Sequence, residues 1–236
     1  MGNFQIKIEK FWMVFYQYKG YARVLEGLKN TLLIAIIGLI LGILIGTILA
    51  AVQVHPSRKG LAQSLKALSR FYVGLFRGTP VVVQLLVTYY VVLPLMGLNL
   101  SSLQVCILVF GLNSGAYVAE IMRGGIQSVD PGQMEAGRAM GLAWGTTMAK
   151  IVVPQAVKHI LPTLGNEFIA LIKETSVVSF VGALDLYVAF NYIGTNNYEF
   201  MVPYLVMAFI YITLVMVISF LIRRMERRLG KSDRTA

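Results

Sequence analysis

Charge is what this sequence has least of. Only 14% of its 236 residues are Asp, Glu, Lys or Arg, against about 25% in an ordinary soluble domain. The deficit is concentrated: no charged residue occurs from Asn30 to Ser57, from Gly78 to Ala119, or from Phe200 to Ile222. Each run is long enough to cross a hydrocarbon layer of about 30 Å, which takes about 20 helical residues. A soluble core helix would be shorter, or would alternate with a wetted face. With 57% hydrophobic residues and a mean hydropathy of +0.70, the chain reads as an all-α integral membrane protein.

Other absences narrow its chemistry. Cys106 is the single cysteine, so no internal disulfide forms and the redox compartment stays open. No Gly-x-x-x-x-Gly-Lys-Ser/Thr loop occurs, so ATP hydrolysis of that kind must come from another subunit. No nucleophile–base constellation supports membrane enzymology. His55 and His159 stand far apart at span boundaries without a ligand cluster, so no metal is expected. The apolar stretch between Lys10 and Lys19 is short and lacks a small-residue cleavage site, which argues against a cleaved signal peptide. Phe11, Trp12, Phe15 and Tyr16 there read as an interfacial anchor. Acidic residues are also few, 11 against 21 basic, for a net charge of +10. Arg223, Arg224, Arg227 and Arg228 directly follow the last apolar run, where positive charge retains a cytoplasmic loop and meets anionic headgroups. The partner implied is membrane lipid, and no nucleic acid is expected.

The first span reads as Thr31 to Val54. Its glycines at 38, 42 and 46 fall four apart and offer one smooth face for close helix approach. The 42-residue run from Gly78 to Ala119 is too long for one span, with a turn at Pro94, Gly97 and Asn99. The second span therefore begins around Leu68, with Pro80 as a kink, and the third covers Ser101 to Ile121. Residues 160 to 184 form the fourth, a loop occupies 185 to 199, and the fifth runs from Phe200 to Ile222. With five spans, the basic tail, the Arg58/Lys59 loop and the polar insert 122 to 159 share one side, the cytoplasm. The N-terminus is then outside and the C-terminus inside, although the N-terminal segment carries five basic residues. This divides the chain into an interfacial or extracytoplasmic segment (1–29), a five-span domain (30–225) and a basic cytoplasmic tail (226–236).

Within the insert, Asp130 suits a helix cap, Pro131 the first helical position and Gln133 a capping box. The helix reads to Met140 and stops at Gly141. A second helix runs from Thr146 through Ile151, with Pro154 and Pro162 bending its continuation into the membrane. On physics alone such an insert is a structural elbow or a coupling element.

Glu135-Ala136-Gly137, then Gly141, Ile151 and Val153-Pro154 resemble the EAA loop of ABC-importer permeases; Gly137 replaces the pattern's second alanine and Val153 its leucine. Arg77-Gly78-Thr79-Pro80, Tyr117 through Ile126 and Leu164 through Ile169 resemble polar-amino-acid permeases of the histidine/glutamine/arginine type. The resemblance covers about residues 20 to 225. It implies a bacterial inner-membrane protein with the five-helix, MetI-like permease fold, and a coupling helix (Glu135, Ala136, Gly137, Met140, Gly141 and Pro154) that docks on ATP-binding cassette subunits. ATP and Mg would be bound by those subunits, with no cofactor in this chain. A second permease copy or homologue and an extracytoplasmic solute-binding protein are the other implied partners.

Ionisable groups inside a span are expensive and need a reason. At about 100° per residue Glu167 and Glu174 fall within about 20° of one helical face, and Asp185 returns to it if the helix persists. With Asn166, Thr175 and Ser176 they are candidates for the amino-acid path. Basic amino acids suit such acidity, with glutamine or another neutral polar amino acid as the alternative. The rival reading makes Glu167 and Glu174 structural ion pairs of Lys173, Arg77 or Arg123. Arg77 and Glu120 should lie at similar depth and share a polar network with Arg123 and Lys173. An ion-coupled secondary transporter would call for internal repeats, and none stands out. A non-transporting scaffold leaves the charged fourth span and the capped insert without a role.

Overall fold

The computed structural model describes residues 2–57 and 60–231. Arg58, Lys59, the side chain of Arg228 and residues after 231 lie outside the described residues. Helix α1 (Gly2–Trp12) runs into a π turn over Met13–Gln17. Lys19, at φ +54, breaks the chain, and α2 (Gly20–Val54) begins there, well before Thr31. Polar residues do not delay it, because Val24 is already buried in a hydrophobic core.

The second span departs further from expectation. In place of one kinked rod from Leu68, α3 (Leu61–Arg77) and α4 (Val81–Leu95) are separate helices bent by 102°. Proline drives the residue before it out of the helical region and has no N–H to donate. Pro80 itself is extended, at φ −63 and ψ 138, as the cap residue before α4. The Gln84 amide recovers the loosened turn, donating to the Thr79 carbonyl at 3.0 Å and its hydroxyl at 2.9 Å. Helix α5 (Ser102–Gln127) and helix α6 (Pro131–Ala139) follow.

Helix α7 (Trp144–Val181) is one continuous element, so no break separates the insert's second helix from the membrane segment, and Pro162 lies inside it. A π turn over Met148–Val152 accommodates Pro154, which cannot donate to the carbonyl four residues back. The helix tightens to 3₁₀ over Thr175–Val181 and stops at Gly182, left-handed at φ +71. The segment expected as a loop is helix α8 (Leu186–Asn197). It forms because Leu186, Ala189, Phe190 and Ile193 bury one face. Helix α9 (Met201–Lys231) completes the chain.

Among the described residues, three helices are long and apolar enough to cross a membrane: Gly20–Val54, Ser102–Gln127 and Met201–Arg227. Counting each bent pair (α3 with α4, α7 with α8) as one span gives five. The chain divides into two compact units. In the first (residues 1–38, 79–111 and 170–217), Phe11, Val14, Val24, Phe190 and Val202 share a core with the buried face of α8. There the Asn30 amide donates to the Leu184 carbonyl at 2.9 Å, and the Leu186 N–H to Thr31 Oγ1 at 3.2 Å. In the second (39–78, 112–169 and 218–236), Val118, Val152, Ala156 and Ile160 form the core. A Cβ built at Gly42 would lie 2.6 Å from Ser114 Oγ, and one at Gly46 2.7 Å from Val118. The glycine face of α2 is therefore in backbone-distance contact with α5.

Candidate functional site

Helix α6 starts where Asp130 accepts the Gly132 N–H at 2.8 Å. It ends at Gly141, φ +83, where the Leu142 N–H reaches the Gly137 carbonyl at 3.1 Å. Gln133 does not close the expected capping box; its side-chain oxygen accepts from Gln155 at 3.2 Å and ties α6 to α7. Gly137 is buried, and a Cβ there would stand 2.5 Å from Thr147 Cγ2. Glu135, Ala136, Gly141 and Pro154 are exposed, and Met140 is 83% exposed. One side of the helix is seated on α7 and the other is open. The sequence offered no sign of Thr147, yet its methyl explains why glycine stands at position 137. Gly137→Ala should destabilise the solubilised permease by about 1–3 kcal/mol, read as a lowered melting midpoint. Adding Thr147→Ala should recover most of the loss; no recovery would separate the glycine from that contact.

A charged cluster joins α3 to α5. Arg123 grips both Glu120 oxygens, at 2.7 and 3.1 Å, and donates to Gln127 at 2.7 Å. Arg77 approaches the same carboxylate at 3.4 Å and stands 5.5 Å over the Tyr117 ring. Lys173 makes no ion pair within 4.0 Å among the described residues. It lines an open, largely apolar cavity of about 750 Å³ with Ser176, Ser179, Tyr187 and Tyr211.

The remaining polar residues of α7 divide. Asn166 is exposed, and Glu167, half-buried, accepts from the Ser114 hydroxyl at 2.9 Å. Glu174 is exposed, Thr175 is buried with its hydroxyl on the Ile172 carbonyl at 2.8 Å, and Ser176 bonds Lys173 O at 3.3 Å. Asp185 is not on the acidic stripe, because the helix has stopped at Gly182. It is fully buried and caps α8, accepting the Val188 N–H at 2.8 Å. Ser114 was the residue missed: its position opposite Gly42 appears only once α2 and α5 are packed. Among the described residues no group of three His, Cys, Asp or Glu is arranged to hold a metal.

Residues 38–231 match the family of binding-protein-dependent transport system inner membrane components. A protein of Rickettsia bellii, provisionally named a glutamine transport system permease, is 38% identical over 87% of this chain and 92% of its own length. The arginine transport system permease ArtQ of Bacillus subtilis is 34% identical over 89% of this chain and 94% of its own. The crystal structure of an amino acid ABC transporter with histidines superposes with a TM-score of 0.82 at 36% identity, covering 90% of this chain and 96% of that one. The MetNI methionine ABC transporter, at 20% identity and a TM-score of 0.73, shares the fold. The chain belongs to the binding-protein-dependent inner membrane components, as an amino-acid permease subunit of the ABC-importer type.

Proposed function

We propose that this subunit forms the translocation path for polar, preferentially basic, amino acids and takes its energy from a separate ATPase through helix α6. The observation that carries the reading is the two-sided build of that helix. Gly137 and Gln133 fix it to α7, while Glu135, Ala136 and Met140 remain open to a partner. A push on the open side is delivered to a helix that continues unbroken from Trp144 to Val181.

Two ATP-binding cassette subunits holding ATP and Mg would clamp a pair of permeases, the second being a copy or a homologue. In this reading the chain is multi-pass in a bacterial inner membrane, with residues 1–29 outside, the five-span domain over 30–225 and the basic tail inside. An extracytoplasmic binding protein would deliver substrate near residues 94–100 and 185–199. ATP-driven closure opens the path outward, and release of the hydrolysis products restores the inward state.

Glu167 and Glu174 support a cationic substrate, with Asn166 and Ser176 as neutral hydrogen-bonding groups; Thr175, fully buried with its hydroxyl on the Ile172 carbonyl, lies off the path. Lys173, beside Ser176 on the 750 Å³ cavity, suits the α-carboxylate that every amino acid carries. Glutamine is the competing reading, favoured by the name of the Rickettsia relative; the Bacillus relative favours arginine. The test is radiolabelled uptake in liposomes by the permease co-assembled with its ATPase and binding protein. Arginine, histidine, lysine, glutamine and glutamate would be compared. ATP-dependent arginine uptake above glutamine is expected; glutamine alone would reverse the substrate assignment, and uptake on an ion gradient without ATPase would overturn the mechanism.

A further inference from the structure

Another cavity, polar and of about 570 Å³, is lined by Gln53, Gln63, Lys66, Arg70, Glu120 and Arg123. Three cations face one carboxylate, and Arg123 and Arg77 already hold that carboxylate. Lys66 donates to the His55 carbonyl, which fixes the ammonium at the cavity wall. Arg70 uses Nε on the Lys66 carbonyl at 3.3 Å, leaving the paired Nη groups of its fork without an acceptor among the described residues. A guanidinium fork beside an ammonium, with the local acid neutralised, suits a phosphate.

Helix α3 indicates what the phosphate is attached to. At about 100° per residue, Lys66, Arg70 and Arg77 share one side and Leu61, Leu65, Leu68 and Leu75 the opposite one. Ser69 and Val73, both buried, lie between them. The leucines are 75%, 43%, 64% and 49% exposed. An apolar face and a basic face on one helix match the acyl and headgroup regions of a bilayer edge. Basic pockets between membrane helices take up anionic headgroups.

We propose that this cavity binds the phosphate of an anionic lipid headgroup, with Arg70 and Lys66 as its ligands and the α3 leucines against the acyl chains. The proposal rests on the preceding reading only in placing this end of α3 at the cytoplasmic leaflet. The test is native mass spectrometry of the permease–ATPase complex in neutral detergent, offered phosphatidylglycerol, phosphatidylcholine, or inorganic phosphate. Phosphatidylglycerol should be retained about tenfold more than phosphatidylcholine, and should raise the melting midpoint. The Lys66→Gln/Arg70→Gln pair should remove that preference; if the pair fails to fold, Arg70→Gln alone should reduce retention severalfold. Equal retention of both lipids, or an unchanged preference in a folded variant, would overturn the proposal. Equal stabilisation by inorganic phosphate would also overturn it, assigning the site to a soluble anion. None of these readouts requires ATP or an amino acid, so failed transport and a failed lipid site give different results.

Discussion

A permease carrying Glu135→Arg is expected to insert and fold normally, yet to lose its ATPase partner and with it ATP-driven uptake. Glu135 is exposed on a helix whose fold depends on other residues: Asp130 starts it, Gly141 ends it, and Gly137 and Gln133 seat it. Reversing its charge therefore alters the open side and little else. Breaking a desolvated charge contact at an interface costs about 2–5 kcal/mol, which weakens association on the order of thirtyfold or more. Co-purification with the ATPase and uptake in liposomes check both parts. Met140→Ala should weaken the same association by a smaller amount, because it truncates an apolar anchor without reversing a charge. Retained association and uptake in Glu135→Arg would place the docking surface elsewhere.

The parts legible in the sequence were those governed by local rules. Long charge-free runs marked the spans, and Asp130-Pro131 with Gly141 bracketed α6 to within a few residues. Glycines at 42 and 46 marked a close contact without naming its partner; Ser114 and Val118 supply it. What was misread depended on competition between elements. Pro80 looked like a kink, but the preceding residue and the freed carbonyl turn the chain far enough to make two helices. Pro154 looked like the start of a new segment, and the helix runs through it directly after a π turn. The segment after 185 looked like a polar loop because its asparagines dominate the reading. Its apolar residues at 186, 189, 190 and 193 nevertheless form a helical face, and Asp185 is the cap that starts it. The same error put Asp185 on an acidic stripe, since the extrapolation assumed a helix that Gly182 ends.

The α2–α5 contact gives the other large expected effect, because it joins packing to a candidate path residue. Gly42→Val should abolish uptake and sharply reduce assembled permease. Its Cβ would lie 2.6 Å from Ser114 Oγ and 2.8 Å from Ser114 Cβ, so the helices must separate, and overpacking of this kind costs about 1–3 kcal/mol or more. The separation would also displace the hydroxyl that donates to Glu167. Ser114→Ala distinguishes the two consequences. It leaves the helix contact intact and removes only the bond to the carboxylate, about 1.5–3 kcal/mol for a charged acceptor. Assembly should therefore be normal, while the apparent KM for the transported amino acid changes about fivefold or more. Pairing Gly42→Ala with Ser114→Gly should restore assembly but not the KM, since the space returns and the hydroxyl does not. An unchanged KM in Ser114→Ala would remove Glu167 from the substrate path and leave it as a structural acceptor inside the second unit.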